Sequence, residues 1–195
     1  IAQGDSSADT AGKISKQEQV VPDGIKAGFG TPGMDESELL VNGEVDAIFH
    51  AAEPRHYVQG DSRIQRLFPD YRSVEQAYFK KTGIFPIMHA VAMRNDLIDA
   101  HPWLPKAVFD AYSEAKRRRY PAMNREWLLS TLPWYGQELD ETRALMGENF
   151  WPYGIADNET TLNALFQYSH EQGLAKKRLT IEALFHPSTL QLAES

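Results

Sequence analysis

Two stretches concentrate the residues that can move protons or hold anions. GEVDAIFHAAEPRHYVQGDSRIQRLFPDY (43–71) sets His50, Arg55 and His56 behind a short apolar run. GIFPIMHAVAMRND (83–96) sets His89 inside a second one. An apolar run leading into a polar segment with His or Arg is how clefts of α/β proteins are built, from side chains at strand ends and in the loops beyond them. Arg55 offers a planar fork that grips a carboxylate at two points. Imidazole can give or take a proton near neutral pH, so His50 and His89 are the candidate proton donors. His56, in the same loop, reads more simply as a solvated surface group. A lone histidine in an apolar run is otherwise a structural one, bonded to a carbonyl or a polar neighbour. Both readings of His89 stay open.

A second group lies in WPYG, a turn between two helical patterns. Trp151 can stack on an aromatic ring, and Tyr153 can bond a ligand hydroxyl or carboxylate. The competing reading is an aromatic pair that fills the junction between helices. Arg63 and Arg66, before LFPDY, are expected in structural ion pairs with nearby acids such as Asp61, Asp70 or Glu75. The KRRR run beginning at Lys116 reads as a solvated helix end, with cations at the negative pole of the helix. The six histidines make no metal-ligand spacing, so no metal is expected. No phosphate-binding loop, dinucleotide fingerprint or nucleophile elbow is present.

The elements that must position these groups follow from periodicity and punctuation. Residues 1–17 are small and polar and read as a loop or a loosely packed edge. Residues 35–42 predict a short helix with Leu39 and Leu40 inward and Gly43 as its stop. Residues 45–49 predict a short strand. Residues 71–81 predict a helix with Val74, Ala77 and Tyr78 on one face, ended by Gly83. Residues 84–93 are nearly all apolar and partly β-branched, which suits a strand buried on both faces. Pro102 opens a helix whose inner face is read as Trp103, Ala107, Ala111 and Ala115, and Pro121 is expected to break or kink it. Further helices are expected over 138–146 and from Asp157 or Asn158 to His170, with a last turn capped by Thr180.

Composition bounds the function. The chain has 195 residues, 42% hydrophobic and 24% charged, as in globular proteins. A net charge of −7 opposes nucleic acid and anionic membranes as partners. With no cysteine, disulfide and thiolate chemistry are excluded. No apolar run approaches the roughly 20 residues of a membrane helix. The first residues, IAQGDSSADTAGKISKQEQ, lack the basic-then-apolar pattern of a signal peptide. The chain starts at Ile1, which points to a processed chain or a fragment.

GEVDA, RLFPDY, KTGIFPIMH, HPW, LMGENFWPYG and HEQGL occur in this order. Together they resemble the 4,5-dihydroxyphthalate decarboxylase family, from near the start of the chain to Phe185. The resemblance implies an α/β, type II periplasmic-binding-protein-like fold. Residues 1–83 would be part of the second lobe. Residues 84–195 would be the crossing strand and the helices that return to a first lobe absent from this sequence. It also implies removal of one carboxylate from 4,5-dihydroxyphthalate to give protocatechuate and CO₂. In that scheme His50 or His89 is the proton donor, Arg55 the carboxylate clamp, and Tyr153 with Trp151 the ring contacts. No metal or organic cofactor is required, and the partner is a small anionic aromatic substrate. Self-association is left open. The first expectation is a cytoplasmic enzyme; the alternative is a periplasmic solute-binding protein of a transporter for a small organic anion.

Overall fold

A computed structural model of the chain describes residues 2–3, 20–50 and 52–194. Two compact units divide it, the first comprising described residues of Ile1–Tyr71 with Glu171–Lys176, the second Arg72–His170 with those of Lys177–Ser195. The structure is mixed and dominated by helix. The strands that pair are β1 (Ala2–Gln3) and β2 (Gly28–Phe29), joined in parallel. Ala2–Gln3 belongs to the segment expected as a loop or loosely packed edge over 1–17, the rest of which lies outside the described residues.

The first unit is organised by one buried carboxylate. Asp35 is 0% exposed and caps α1 (Glu36–Val41). Its side chain accepts from the Glu38 N–H at 2.7 Å, and the Glu38 carboxylate accepts from the Asp35 N–H at 2.9 Å. This reciprocal box satisfies two donors that a helix start otherwise leaves open. Leu39 is buried and Leu40 half-buried, as the periodicity predicts. Gly43, at φ +75°, ends the helix in a conformation glycine adopts without strain. Arg55 opens α2 (Arg55–Val58) and bridges back to Asp35 at 3.1 Å and Glu38 at 3.0 Å. Ser37, also buried, accepts from the His56 N–H at 3.0 Å and lies 2.9 Å from His56 Nδ1. Asp35→Ala should therefore destabilise the unit by about 1–2 kcal/mol through the lost cap alone. Asp35→Asn, which keeps a capping oxygen, should recover most of this in urea denaturation. Equal losses for the two variants would show that the cap is not what matters.

The strand expected over 45–49 does not form. The N–H groups of Glu44 and Val45 bond back to the Leu39 carbonyl, and Phe49 is fully exposed. A short apolar run becomes a strand only beside another strand, and none lies beside it among the described residues.

The second unit carries α3 (Tyr71–Thr82), whose first residue belongs to the other unit, then α4 (Asn95–Ala100), α5 (Leu104–Met123) and α6 (Tyr135–Met146). α7 (Glu159–Glu171) and α8 (Ile181–Leu184) follow, the latter capped by Thr180 as expected. Ile98, Pro105, Leu139, Leu162 and Phe166 are its buried apolar side chains among the described residues. Arg72 ties α3 to α6 through Glu138, at 3.0 Å, and Glu141.

Three expectations are corrected in this unit. Residues 84–93 are neither helical nor laddered, and most are exposed, including Met88 and Val91. Ile84 N–H bonds the Thr82 hydroxyl at 3.1 Å; among the described residues, 85–93 make no main-chain hydrogen bond. A buried strand needs neighbours on both edges, and the unit supplies none. In α5 the row Trp103, Ala107, Ala111 and Ala115 faces outward, while Pro105, Phe109, Lys116 and Tyr120 are turned inward. Pro121 does not break α5. It sits in the last turn, where little helix remains to lose.

Candidate functional site

α5 and the WPYG turn border an open recess of about 350 Å³ lined by Tyr112, Lys116, Tyr120, Phe150, Trp151 and Tyr153. The helix contributes Tyr112, Lys116 and Tyr120 at a spacing of four, so all three share one face. The turn is pinned by Asn158, which donates to the Pro152 carbonyl at 2.9 Å and the Gly154 carbonyl at 2.8 Å. Asn158, one of the two candidate caps, directly precedes α7, and its amide fixes the aromatic wall. Tyr120 stacks on Phe150 at 4.8 Å, and Tyr112 meets Tyr153 edge-on at 6.4 Å. Phe85 packs edge-on against Trp151 at 5.6 Å, which ties the 84–93 segment to the same wall.

Lys116 is the electrostatic centre. Its side chain is only 8% exposed, whereas those of Arg117 and Arg118 are 69% and 75% exposed. The ammonium lies 4.7 Å from the Tyr153 ring centroid and 5.2 Å from that of Tyr120, where the negative ring faces attract it. It donates to the Trp151 carbonyl at 2.6 Å, to Asn149 Oδ1, and to Glu194 Oε2 at 2.6 Å. Glu194 Oε2 also accepts from the Tyr153 N–H at 2.9 Å and from Asn149 Nδ2 at 3.1 Å. Burial pushes the Glu194 carboxyl up, but these three donors and the Lys116 charge outweigh it, and its pKa lies below the ordinary carboxylate value. The Tyr120 hydroxyl is buried beside the Trp151 backbone without a well-formed hydrogen bond, and burial pushes it up to about 12. Arg119, on the same wall, is paired with Glu126.

The residues singled out in the sequence do not all meet here. Trp151 and Tyr153 are in the recess wall, packed edge-on against Phe85 and Tyr112 respectively. His89 is exposed in the segment that Phe85 anchors to that wall. His50 and Arg55 lie in the first unit. His50 Nδ1 is 2.6 Å from the Ala52 carbonyl, an oriented imidazole. The Arg55 guanidinium is held by Glu38 and Asp35, which push its pKa further up. His56 is bound into the Ser37 staple rather than merely solvated. Arg63 pairs with Asp61, whose carboxyl it holds down at about 2. Arg66 pairs with Glu53 and covers the Tyr57 and Tyr71 rings. Among the described residues no three His, Asp or Glu side chains converge on a metal-sized site, and no helix is long and apolar enough to cross a membrane.

No family model matches the chain. Over 180 residues it is 31% identical to the 4,5-dihydroxyphthalate decarboxylase of Comamonas testosteroni, covering 92% of this chain and 54% of that protein. The chain is similar to a 4,5-dihydroxyphthalate decarboxylase. The resemblance read from the motifs thus extends over most of the sequence, and the chain spans about half the length of the curated relative it matches. Within this decarboxylase-like chain, sequence reasoning missed Lys116, Tyr120 and Glu194. The signal for the first two was the Tyr-x₃-Lys-x₃-Tyr spacing, hidden because Lys116 opens a basic run. Nothing local marked Glu194, whose partners are 41 to 78 residues away.

Proposed function

We propose that this protein is a carboxy-lyase that removes one carboxylate from a dihydroxylated aromatic dicarboxylate of the 4,5-dihydroxyphthalate type, giving protocatechuate and CO₂. The observation that carries the reading is the 31% identity to the decarboxylase across 92% of the chain. The aromatic recess around Lys116 supports it, because a planar dianion needs ring faces to stack on and a cation for the carboxylate that stays.

Each carboxylate carbon of the substrate is para to a ring hydroxyl. Electron density pushed from that oxygen makes the carbon basic. A donor protonates it, the bond to the carboxylate breaks, its electron pair returns to the ring, and CO₂ leaves. The donor regains its proton from solvent. Trp151 and Tyr153 hold the ring, Lys116 faces the retained carboxylate, and the unsatisfied Tyr120 hydroxyl bonds a ring oxygen. His89 is the donor, carried on the segment that Phe85 fastens to the recess; His50 is the alternative. Arg55 is committed to Asp35 and Glu38, so the clamp moves to Lys116. The apolar wall disfavours the leaving anion relative to neutral CO₂.

The fold proposed with this activity is the second lobe of a type II periplasmic-binding-protein-like architecture, residues 1–83, with 84–195 as crossing strand and helices. The apolar, unladdered character of 84–93 supports that assignment, since such a segment is completed by strands from elsewhere. The test is CO₂ release from 4,5-dihydroxyphthalate by the whole gene product, without added metal. Release at a catalytic rate is expected. Tight binding with no release would reassign the protein to solute capture for transport.

A further inference from the structure

Three donors of different kinds converge on a single oxygen: the Lys116 ammonium at 2.6 Å, the Tyr153 N–H at 2.9 Å and the Asn149 amide at 3.1 Å from Glu194 Oε2. Two of the residues supplying them, Lys116 and Tyr153, also line the aromatic recess. An ammonium, a side-chain amide and a main-chain N–H directed at one point form a receptor for a carboxylate oxygen. Here the occupant is supplied by the chain itself. Glu194 follows Ala193, whose backbone bridges to Gly154 in the recess-bearing turn.

We infer that Glu194 is an internal stand-in for a ligand carboxylate, and that an aromatic carboxylate binds the recess by displacing it from Lys116, Tyr153 N–H and Asn149. The exchange is chemically even: one carboxylate leaves the three donors and another takes its place. The incoming group brings a ring for the walls of Tyr120, Trp151 and Tyr153, which the glutamate side chain lacks. The buried Tyr120 hydroxyl gains a partner that the tail does not give it. The C-terminal segment then acts as a self-ligand that keeps the buried ammonium paired while the recess is empty. An unpaired buried cation would be costly. This deepens the pocket reading given above and rests on it for the identity of the recess, but not for the reaction.

The probe is phthalate, with benzyl alcohol as the neutral ring control, titrated calorimetrically into the chain and into Glu194→Gln. Glutamine keeps the size and one accepting oxygen but lacks the charge, and neutral acceptors bond about half as strongly as ionised ones. The variant should bind phthalate about tenfold more tightly than the parent, with no change for benzyl alcohol. Equal phthalate affinities, or a loss of binding in a folded variant, overturn the inference. If Glu194→Gln does not fold, the parent decides the matter by amide NMR. At phthalate saturation the Tyr153 amide should shift and the signals of 190–194 should sharpen as the tail is released; an unchanged tail overturns the inference. Tail release without CO₂ production from 4,5-dihydroxyphthalate would leave this inference standing and remove the decarboxylase reading. CO₂ production with the tail still bound would do the reverse.

Discussion

His89→Asn should lower the turnover of 4,5-dihydroxyphthalate by about 10²- to 10⁴-fold, the usual cost of losing a positioned general acid. KM should change little. Asparagine keeps a polar group of similar reach but cannot deliver a proton at neutral pH, so it removes an interaction that matters only as the ring carbon is protonated. His89 stands four residues after Phe85, whose ring is packed on Trp151. That places the imidazole within about 14 Å of chain from the recess wall, at about 3.4 Å per residue. His50→Asn is the matched comparison, because His50 is oriented by the Ala52 carbonyl and sits in the other unit. A collapse of kcat in His50→Asn with His89→Asn unaffected would exchange their roles. Full turnover in both variants would remove histidine from the proton-delivery step.

How far the sequence reached can be judged element by element. The helices at 36–41, 71–82, 135–146 and 159–171 were legible because local signals coincide there: apolar residues at helical spacing and a glycine stop at Gly43, Gly83, Gly147 or Gly173, joined in the first by the acidic cap Asp35. Positive φ at each of these glycines is the physical content of the stop. The strands read at 45–49 and 84–93 from apolar, β-branched runs do not form. Strand preference records a fit to a pleated surface made by neighbours, and the described units provide no such neighbour to 45–49 or 84–93. The inner face of α5 was assigned to a row of alanines. The inward row instead carries a lysine, because the aromatic faces of Tyr120 and Tyr153 and the Glu194 carboxylate together compensate its charge. No composition rule anticipates this, since lysine is rarely buried unless paired and the pair spans 78 residues.

The same contrast explains how an acidic chain can hold an anion site. A net charge of −7 sets the long-range field, which solvent screens beyond about 10 Å. Recognition inside a recess depends on the nearest few groups. Arg55, the clamp suggested by the sequence, is balanced by two carboxylates within its own unit. Lys116 is balanced by a single carboxylate. Of the two cations, the one held by a single carboxylate is the better receptor.

Gly154→Ala should destabilise the second unit by about 3 kcal/mol, at the high end for a single methyl group. Two independent costs add. The backbone at Gly154 has φ +94°, a region that side-chain-bearing residues enter at a cost of about 1–2 kcal/mol. A Cβ there would also stand 2.7 Å from the Leu192 carbonyl oxygen. That oxygen is backbone, so no rotamer change relieves the contact. The turn cannot retreat freely either, because Asn158 holds the carbonyls of Pro152 and Gly154. The C-terminal segment must move, giving up the bridge between Gly154 and Ala193 and loosening the hold on Glu194. Gly136→Ala is the control. Gly136 lies in α6 with nothing within 4 Å of a new Cβ, and alanine there should be neutral or stabilising by about 0.5–1 kcal/mol. Urea denaturation of the two variants separates the cases, and equal stability would mean that the tail does not press on the turn. Because the clash acts on the segment that presents Glu194, a folded Gly154→Ala should also bind phthalate more tightly than the parent. Its stability and its affinity should therefore move in opposite directions, which simple damage to the recess would not produce.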